Sequence, residues 1–197
     1  MAISERLKTF LDASNIRYTA AKHPVVYTAQ EIAASQHVPG RQLAKCVLVK
    51  TDRGPALAVL PAVELVNLKK LKDVLRAKTL AIAKEADIKA AFPDVEVGAM
   101  SPFGTLYQVP VVVDRSLEAT ETIVFNAGSH TETITMRTQD FLTLVKPKSG
   151  AFGQPIGGKS GAKKSASKKK PAKTARRAAT RPRPKPAVRR RAKSKRR

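Results

Sequence analysis

The sequence predicts an α+β domain with a mixed sheet, followed by a basic tail. Segments with helical spacing of apolar residues are interspersed with short strands, two of which flank the turn residues 52–55 and therefore form an antiparallel hairpin. Charge separates the two parts. Of 38 Lys and Arg, 19 lie in residues 151–197, which contain no Asp or Glu; the other 19 face 15 acidic residues, so the first 150 residues carry only +4 of the total +23. About 150 residues is a common domain size.

Apolar spacing, capping residues and turn residues define the individual elements. The first helix has Ile3, Leu7, Phe10 and Leu11 on one face and ends near Ser14. The other predicted elements, in chain order, are a strand at 17–20, a helix opened by a Thr28/Glu31 capping box, strands at 42–49 and 56–60, a helix capped by Asn67, a strand at 79–83, a helix at 84–92 stopped by Pro93, strands at 109–113, 122–125 and 133–137, and a helix capped by Thr138.

Lys45 interrupts the apolar strand at 42–49. Strand side chains alternate, so Lys45 is expected on the same face as Leu43, Val47 and Val49, the residues that seek a core. An unpartnered buried ammonium costs several kcal/mol as an order of magnitude. Lys45 therefore either extends to the edge of the domain or faces a cavity that receives an anionic partner.

Two loops concentrate glycine where strands are expected to begin or end, at 98–104 and 126–131. Glycine permits positive φ and close approach of the backbone to a ligand, so both loops are candidates to present amide N–H groups to an oxyanion or phosphate. The alternative is that they are two ordinary turns.

Other chemistry finds little support. Cys46 is the single cysteine, so a disulfide framework and a cysteine-rich zinc site are excluded, and it is expected to be a small buried hydrophobe rather than a nucleophile. His23, His37 and His130 lack metal-ligand spacing, and no phosphate-loop or dinucleotide motif occurs. We therefore predict no metal and no cofactor. We also predict no membrane partner, because no apolar run approaches about 18 residues. A reducing, cytoplasmic location is expected.

Three features in order resemble the YbaK/ProX family of aminoacyl-tRNA deacylases, the editing domains associated with prolyl-tRNA synthetase. They are Lys45 in its apolar strand, the loop Gly98-Ala99-Met100-Ser101-Pro102-Phe103-Gly104, and Asn126-Ala127-Gly128-Ser129-His130. The resemblance covers residues 1–147, and implies a largely antiparallel, curved sheet surrounded by helices. The family usually has a small polar residue after the lysine, where this sequence has Cys46, which leaves the amino-acid specificity open.

The resemblance implies a trans-editing enzyme that hydrolyses the ester of a mischarged tRNA, such as tRNA-Pro carrying a small amino acid. Lys45 would then be catalytic and face the substrate pocket. Water would attack the ester with help from the ribose 2′-hydroxyl, and the protein would supply placement and electrostatics. Mischarged tRNA and prolyl-tRNA synthetase are the implied partners. The implied substrate-binding residues are Gly98, Ser101, Pro102, Phe103, Gly104, Gly128, Ser129 and His130.

Residues 148–197 are predicted to be a disordered tail rich in Lys, Arg, Ala and Pro, because this composition cannot bury a core. Its cations would bind tRNA or other nucleic acid through phosphates. The alternative function is therefore a non-catalytic nucleic-acid-binding protein that acts through a histone-like tail. The residues predicted to contact nucleic acid are Lys168, Lys169, Lys170, Arg189, Arg190 and Arg191.

Overall fold

The structure, a computed structural model, describes residues 4–25, 29–35 and 38–156. Its elements in chain order are α1 (Glu5–Ala13), β1 (Tyr18–Lys22), α2 (Ala29–Ser35), β2 (Ala44–Thr51), β3 (Gly54–Pro61), β4 (Glu64–Val66), α3 (Leu68–Leu75), β5 (Leu80–Ile82), α4 (Glu85–Ala91), a 3-10 helix (Gly104–Tyr107), β6 (Val111–Asp114), α5 (Arg115–Glu118), β7 (Thr122–Asn126), β8 (Glu132–Arg137), α6 (Thr138–Val145), β9 (Lys148–Gly150) and β10 (Gly153–Pro155).

The strands form three sheets, with a mixed five-stranded sheet as the largest. Its strand order is β5-β2-β3-β6-β9; the β5–β2 and β2–β3 pairs are antiparallel, whereas β3–β6 and β6–β9 are parallel. The β1-β8-β7 sheet and the β4–β10 pair are antiparallel. The predicted α+β class with a mixed, largely antiparallel sheet and surrounding helices is confirmed.

Both faces of the five-stranded sheet are buried. Along β3, Leu57 and Val59 belong to one hydrophobic cluster, whereas Ala58 and Leu60 belong to a second, as the alternation of strand side chains requires. Helices α1 and α6 contribute buried residues to the first cluster, and α3 contributes to the second. The two clusters place the sheet in the centre of the fold.

Local sequence signals set several elements correctly. The hairpin prediction is confirmed, since β2 and β3 pair from Thr51 opposite Gly54 onward. The Asn67 cap is also confirmed, because its side-chain oxygen accepts the amide of Lys70 at 3.1 Å. The Thr138 cap is wrong: Thr138 is the first residue of α6, and its hydroxyl lies 3.2 Å from that of Thr120. Thr28 of the predicted capping box lies outside the described residues.

The ordered fold extends past residue 147, where the sequence places the start of the tail, because the strands β9 and β10 follow it. Asp114, 4% exposed, holds this segment. One carboxylate oxygen accepts the amide and hydroxyl of Ser116 at 2.9 and 2.7 Å, and the other accepts the amides of Phe152 and Gly153, both at 2.6 Å. Phe152 is fully buried. The predicted disorder of residues 157–197 lies outside the described residues.

An isolated parallel bridge joins the two larger sheets at Leu43, just before β2, and Val124 of β7. The amide of Val124 donates to the carbonyl of Gln42 at 2.9 Å. This contact brings the beginning of β2, which carries Lys45, next to the end of β7, where one of the two glycine loops begins.

Candidate active site

Lys45 is the second residue of β2, opposite Leu60 of β3, and its side chain is half-buried. Burial lowers the pKa of Lys45 from its ordinary value, and the negative charge of Glu64 opposes this shift without cancelling it. Within the described part of the chain, the ammonium forms no hydrogen bond and no ion pair within 4.0 Å. Lys45 is therefore a partly desolvated cation without a direct partner among the described residues, an environment that suits an anionic ligand.

Lys45 lines a cavity of about 50 Å³ at the seam between the two larger sheets. The side-chain oxygen of Asn126, the last residue of β7, is buried and accepts no hydrogen bond from the residues that the structure describes. The cavity thus combines a cation with an unused acceptor. The lining residues are Ile32, Leu43, Ala44, Lys45, Cys46, Gly98, Met100 and Asn126.

Larger depressions occur elsewhere on the domain, including one of about 600 Å³ beside β5. That depression is lined by Lys50, Lys84 and Asp87, and Lys50 forms an ion pair with Asp87 at 2.8 Å. Its size alone does not make it reactive. The chemistry of the lining selects the smaller Lys45 cavity as the candidate active site.

The two glycine loops form one hydrogen-bonded unit. The amide of Glu96 donates to the Gly128 carbonyl at 3.0 Å, and the amide of Gly128 donates to the Ala99 carbonyl at 3.2 Å. The amide of His130 donates to the Glu96 carboxylate at 2.9 Å, and its Nε2 lies 3.0 Å from the carbonyl oxygen of Val97. His130 therefore contacts the segment just before Gly98 through both its amide and its ring, and these contacts hold the two loops together.

Gly98 and Met100 line the cavity with part of the 98–104 loop. Neither of their backbone amides donates to an acceptor among the residues that the structure describes. Gly98 has φ +93, and an added Cβ would lie 3.4 Å from the His130 ring, so both conformation and space favour glycine here. Two unused N–H groups beside a lysine form an arrangement suited to an oxyanion.

Other residues proposed for substrate binding lie deeper. Phe103 is fully buried, with its ring centroid 5.8, 5.6 and 5.7 Å from those of Phe10, Phe125 and Phe141. Gly104 begins the 3-10 helix, and an added Cβ would lie 2.9 Å from the carbonyl oxygen of Val109. These two residues contact the core. Ser101, Pro102 and Ser129 are also buried.

Gly128 contacts the beginning of α1. It has φ +105, and an added Cβ would lie 3.1 Å from the Cβ of Ser4, whose own amide donates to the Ala127 carbonyl at 2.9 Å. Since the Gly128 amide is already bonded to Ala99, it is not available to an oxyanion in this arrangement. Of the residues proposed from the sequence, the structure brings Lys45 and Gly98 to the cavity.

Cys46 is the next residue after Lys45, and it packs against the first hydrophobic cluster. Burial raises the pKa of the Cys46 thiol far above its ordinary value, which opposes formation of a nucleophilic thiolate. This environment favours the expected role as a small buried hydrophobe.

Membrane-spanning helices, metal-ligand groups and the predicted nucleic-acid contacts were also considered in the sequence. No helix of the described residues is long and apolar enough to cross a membrane, and the same residues contain no group of three or more His, Cys, Asp and Glu that could hold a metal ion. His37 and the cations proposed for nucleic-acid binding, Lys168, Lys169, Lys170, Arg189, Arg190 and Arg191, lie outside the described residues.

The family model for the aminoacyl-tRNA editing domain matches residues 23–144, a span that includes Lys45 and both glycine loops. The chain belongs to the aminoacyl-tRNA editing domain family. The family resemblance drawn from the sequence is confirmed, and the cavity therefore lies in an editing domain.

The chain is similar to part of two proline–tRNA ligases and to one solved structure. The chain is 32% identical over 101 residues to the proline–tRNA ligase of Fervidobacterium nodosum and 31% identical over 102 residues to that of Latilactobacillus sakei. The matches cover 51% and 52% of this chain but only 17% and 18% of the ligases. A crystal structure described as a candidate trans-editing enzyme for prolyl tRNA synthetase matches with a TM-score of 0.70 and 16% identity, over 77% of this chain and 96% of that one, and shows the shared fold.

Three residues at the candidate site were not predicted from the sequence: Met100 and Asn126, which line the cavity, and Glu64, whose charge acts on Lys45. Both Met100 and Asn126 stand in the glycine loops, so the loop signal located them without revealing their roles. Glu64 has no local signal, because its effect on Lys45 depends on the β2–β3 pairing, which places Lys45 opposite Leu60, and on the path of the chain after β3.

Proposed function

We propose that this protein is a trans-editing aminoacyl-tRNA deacylase that hydrolyses the ester of a mischarged tRNA. The observation that supports it most directly is the half-buried Lys45 ammonium, which has no direct partner among the described residues and lies at a cavity with two unused backbone amides. An ester carbonyl becomes an oxyanion when water attacks it, and a cation with amide donors stabilises that charge.

In the proposed reaction, water adds to the ester carbonyl, and the ribose 2′-hydroxyl assists. Lys45 and the amides of Gly98 and Met100 stabilise the oxyanion, which collapses to release the free amino acid and the 3′-hydroxyl of the tRNA. Each bond change uses water and substrate alone, so no protein nucleophile is required. The enzyme contributes orientation and a preorganised electrostatic environment.

The cavity favours a small aminoacyl side chain. A volume of about 50 Å³ has room for only a few water-sized groups. The apolar residues Ile32, Leu43 and Met100 suit an aliphatic group and leave little space for an aromatic one. We propose tRNA-Pro that carries a small amino acid as the substrate and prolyl-tRNA synthetase as a partner, since the matching ligases act on proline and its tRNA. We also propose that the reaction takes place in the cytoplasm.

The basic tail supports a recruiting role. The 19 cations of residues 151–197, which contain no acidic residue, would attract tRNA by counterion release, with little preference for sequence. The same feature supports the alternative, a nucleic-acid-binding protein without catalysis. The two functions differ in whether the Lys45 cavity turns over an ester.

The deciding experiment offers the full chain a panel of tRNAs, each charged with one noncognate amino acid, and measures release of the free amino acid. We expect faster release of amino acids of the size of alanine than of phenylalanine. Absence of turnover with every tRNA in the panel would favour the nucleic-acid-binding alternative.

A further inference from the structure

Positive charge on the folded domain is concentrated in one short segment. Residues 67–78 contain five cations and one acidic residue, Asp73, for a net charge of +4. The whole of residues 1–150 also carries +4, so the rest of the domain is neutral on balance. The segment consists of α3 and the turn that follows it. Its cations are Lys69, Lys70, Lys72, Arg76 and Lys78.

The cations of α3 are available to a partner. Lys69, Lys70 and Arg76 are exposed, and within the described part of the chain none of the five forms an ion pair within 4.0 Å. Lys69 and Lys72 have the i, i+3 spacing that places them on one side of the helix, and Arg76 follows its last turn. The helix is anchored to the domain by Leu71, which is buried in the second hydrophobic cluster.

The helix is held firmly at both ends. Asn67 caps its first turn through the Lys70 amide, and the amide of Asn67 donates to the Phe152 carbonyl at 2.8 Å. Arg76 ends the helix in the left-handed conformation, φ 53, and donates its amide to the Asp73 carbonyl. The positions of the cations along α3 are therefore fixed by the fold, whereas isolated surface lysines on loops are not.

The segment lies close to the candidate active site along the chain. Glu64, the acid whose charge acts on Lys45, begins β4, and Asn67 follows three residues later, about 10 Å along an extended strand. Helix α3 then continues for eight residues, about 12 Å. A double-helical stem on α3 would therefore lie within reach of Lys45 for the unpaired 3′ end of the same tRNA.

We infer that α3 is a docking surface for the phosphate backbone of a nucleic-acid stem, separate from the basic tail. These cations form no ion pair among the described residues and are held in place by the fold, so they can contact successive phosphates, and such contacts fix the register of a protein on a duplex. The inference rests on the proposed function for the identity of the stem, which is the acceptor stem of the tRNA that delivers its 3′ end to Lys45.

The test compares two triple variants of the full chain. One is Lys69→Gln/Lys70→Gln/Arg76→Gln; the control, Lys89→Gln/Arg137→Gln/Lys146→Gln, removes three exposed cations elsewhere. Binding of uncharged tRNA is measured as a function of salt, which does not depend on hydrolysis. Affinity falls as salt rises, and we expect this dependence of log affinity on log salt to become less steep in the α3 variant, by about 0.9 for each phosphate that the protein no longer neutralises. The control should keep the slope of the unmodified chain.

A second arm separates the docking surface from the chemistry. The α3 variant should raise the KM for mischarged tRNA, and hydrolyse a short aminoacyl oligonucleotide that lacks a stem at the unmodified rate. Failure of the unmodified chain to hydrolyse either substrate would reject the proposed function while leaving the binding comparison valid. Equal salt slopes for the α3 variant and the unmodified chain, or equal reductions in both triple variants, would overturn the docking surface. Loss of binding to anionic lipid vesicles with unchanged tRNA slopes would assign α3 to a membrane and overturn it as well.

Discussion

Lys45 and Asp114 are both charged groups taken partly or wholly out of water, but their surroundings differ. The Asp114 carboxylate accepts four hydrogen bonds, from Ser116, Phe152 and Gly153. The Lys45 ammonium has none within the described residues, and its compensation comes from the more distant charge of Glu64. A buried charge whose partners are all in the protein stabilises the fold, whereas one left without a partner is suited to a ligand. The difference distinguishes a structural carboxylate from the cation of the candidate active site.

Replacement of Lys45 gives the largest expected effect on activity. Lys45→Ala should lower kcat for mischarged tRNA by roughly 10²–10³-fold, the range for loss of one oxyanion-stabilising group. Stability should change little or increase, because the variant removes a desolvated charge that has no direct partner among the described residues. Single-turnover hydrolysis and thermal unfolding measure the two effects. Lys89→Ala, an exposed lysine on α4, is the matched control, and an unchanged rate in Lys45→Ala would remove the basis of the proposed function.

Replacement of Asp114 should have the opposite profile. Asp114→Asn keeps the shape of the side chain but loses a charge that accepts four hydrogen bonds, so we expect a loss of about 2–3 kcal/mol in the free energy of unfolding. The fraction of the variant that is folded should keep the kcat of the natural chain at saturating substrate. Denaturant unfolding and hydrolysis assays check both statements. A large loss of kcat without loss of stability would mean that Asp114 belongs to the active site.

The same variant gives a test by pH. Burial raises the pKa of Asp114, but the hydrogen bonds from Ser116, Phe152 and Gly153 together lower it by more than burial raises it. The pKa of Asp114 therefore lies below its ordinary value. A depressed pKa adds stability above the unfolded value of about 3.9, and that stability disappears as the pH falls through the folded value. The stability difference between the natural chain and Asp114→Asn should therefore be constant near neutral pH and shrink in acid. A constant difference down to the lowest pH at which the chain folds would contradict the assignment.

Removal of the charge on Glu64 should have an intermediate effect on the Lys45 site. Glu64 raises the pKa of Lys45 against the larger effect of burial, so Glu64→Gln should lower that pKa further. Activity that needs the ammonium is present below this pKa and lost above it. We expect the alkaline limb of the kcat profile to move to lower pH, with near-normal rates at neutral pH. Glu118→Gln, a carboxylate that contacts Ser149 instead, is the control.

Cys46→Ser should have the smallest effect on turnover. The thiol packs against the first hydrophobic cluster in a partly buried residue, and its pKa is raised, so it contributes packing and no nucleophile. We expect a rate within a few-fold of the natural chain and a stability loss of about 1 kcal/mol, since the hydroxyl enters an apolar environment. Hydrolysis assays on several mischarged tRNAs would also reveal a change in amino-acid preference. Complete loss of turnover in a folded variant would restore the thiol mechanism.

Local sequence determined much of the framework. The 52–55 turn, the Asn67 cap and the alternation along 42–49 predict the hairpin, α3 and the position of Lys45, because turn residues, caps and strand alternation act over a few residues. The resemblance to the editing family could also be read from Lys45 and the two glycine loops. The short strands β9 and β10 were missed, because their pairing partners are distant in the chain and their composition is that of a loop.

Tertiary structure decided where the individual residues of the candidate site lie and what they contact. Both glycine loops were visible in the sequence, but only the fold shows that Gly98 lines the cavity, that Gly128 contacts Ser4, and that Phe103 packs into the aromatic core. Likewise the sequence shows a lysine in an apolar strand, and the fold adds the charge of Glu64. These roles depend on contacts between residues far apart in the chain, which residue type and local spacing do not encode, since each such contact exists only after the sheets have packed together.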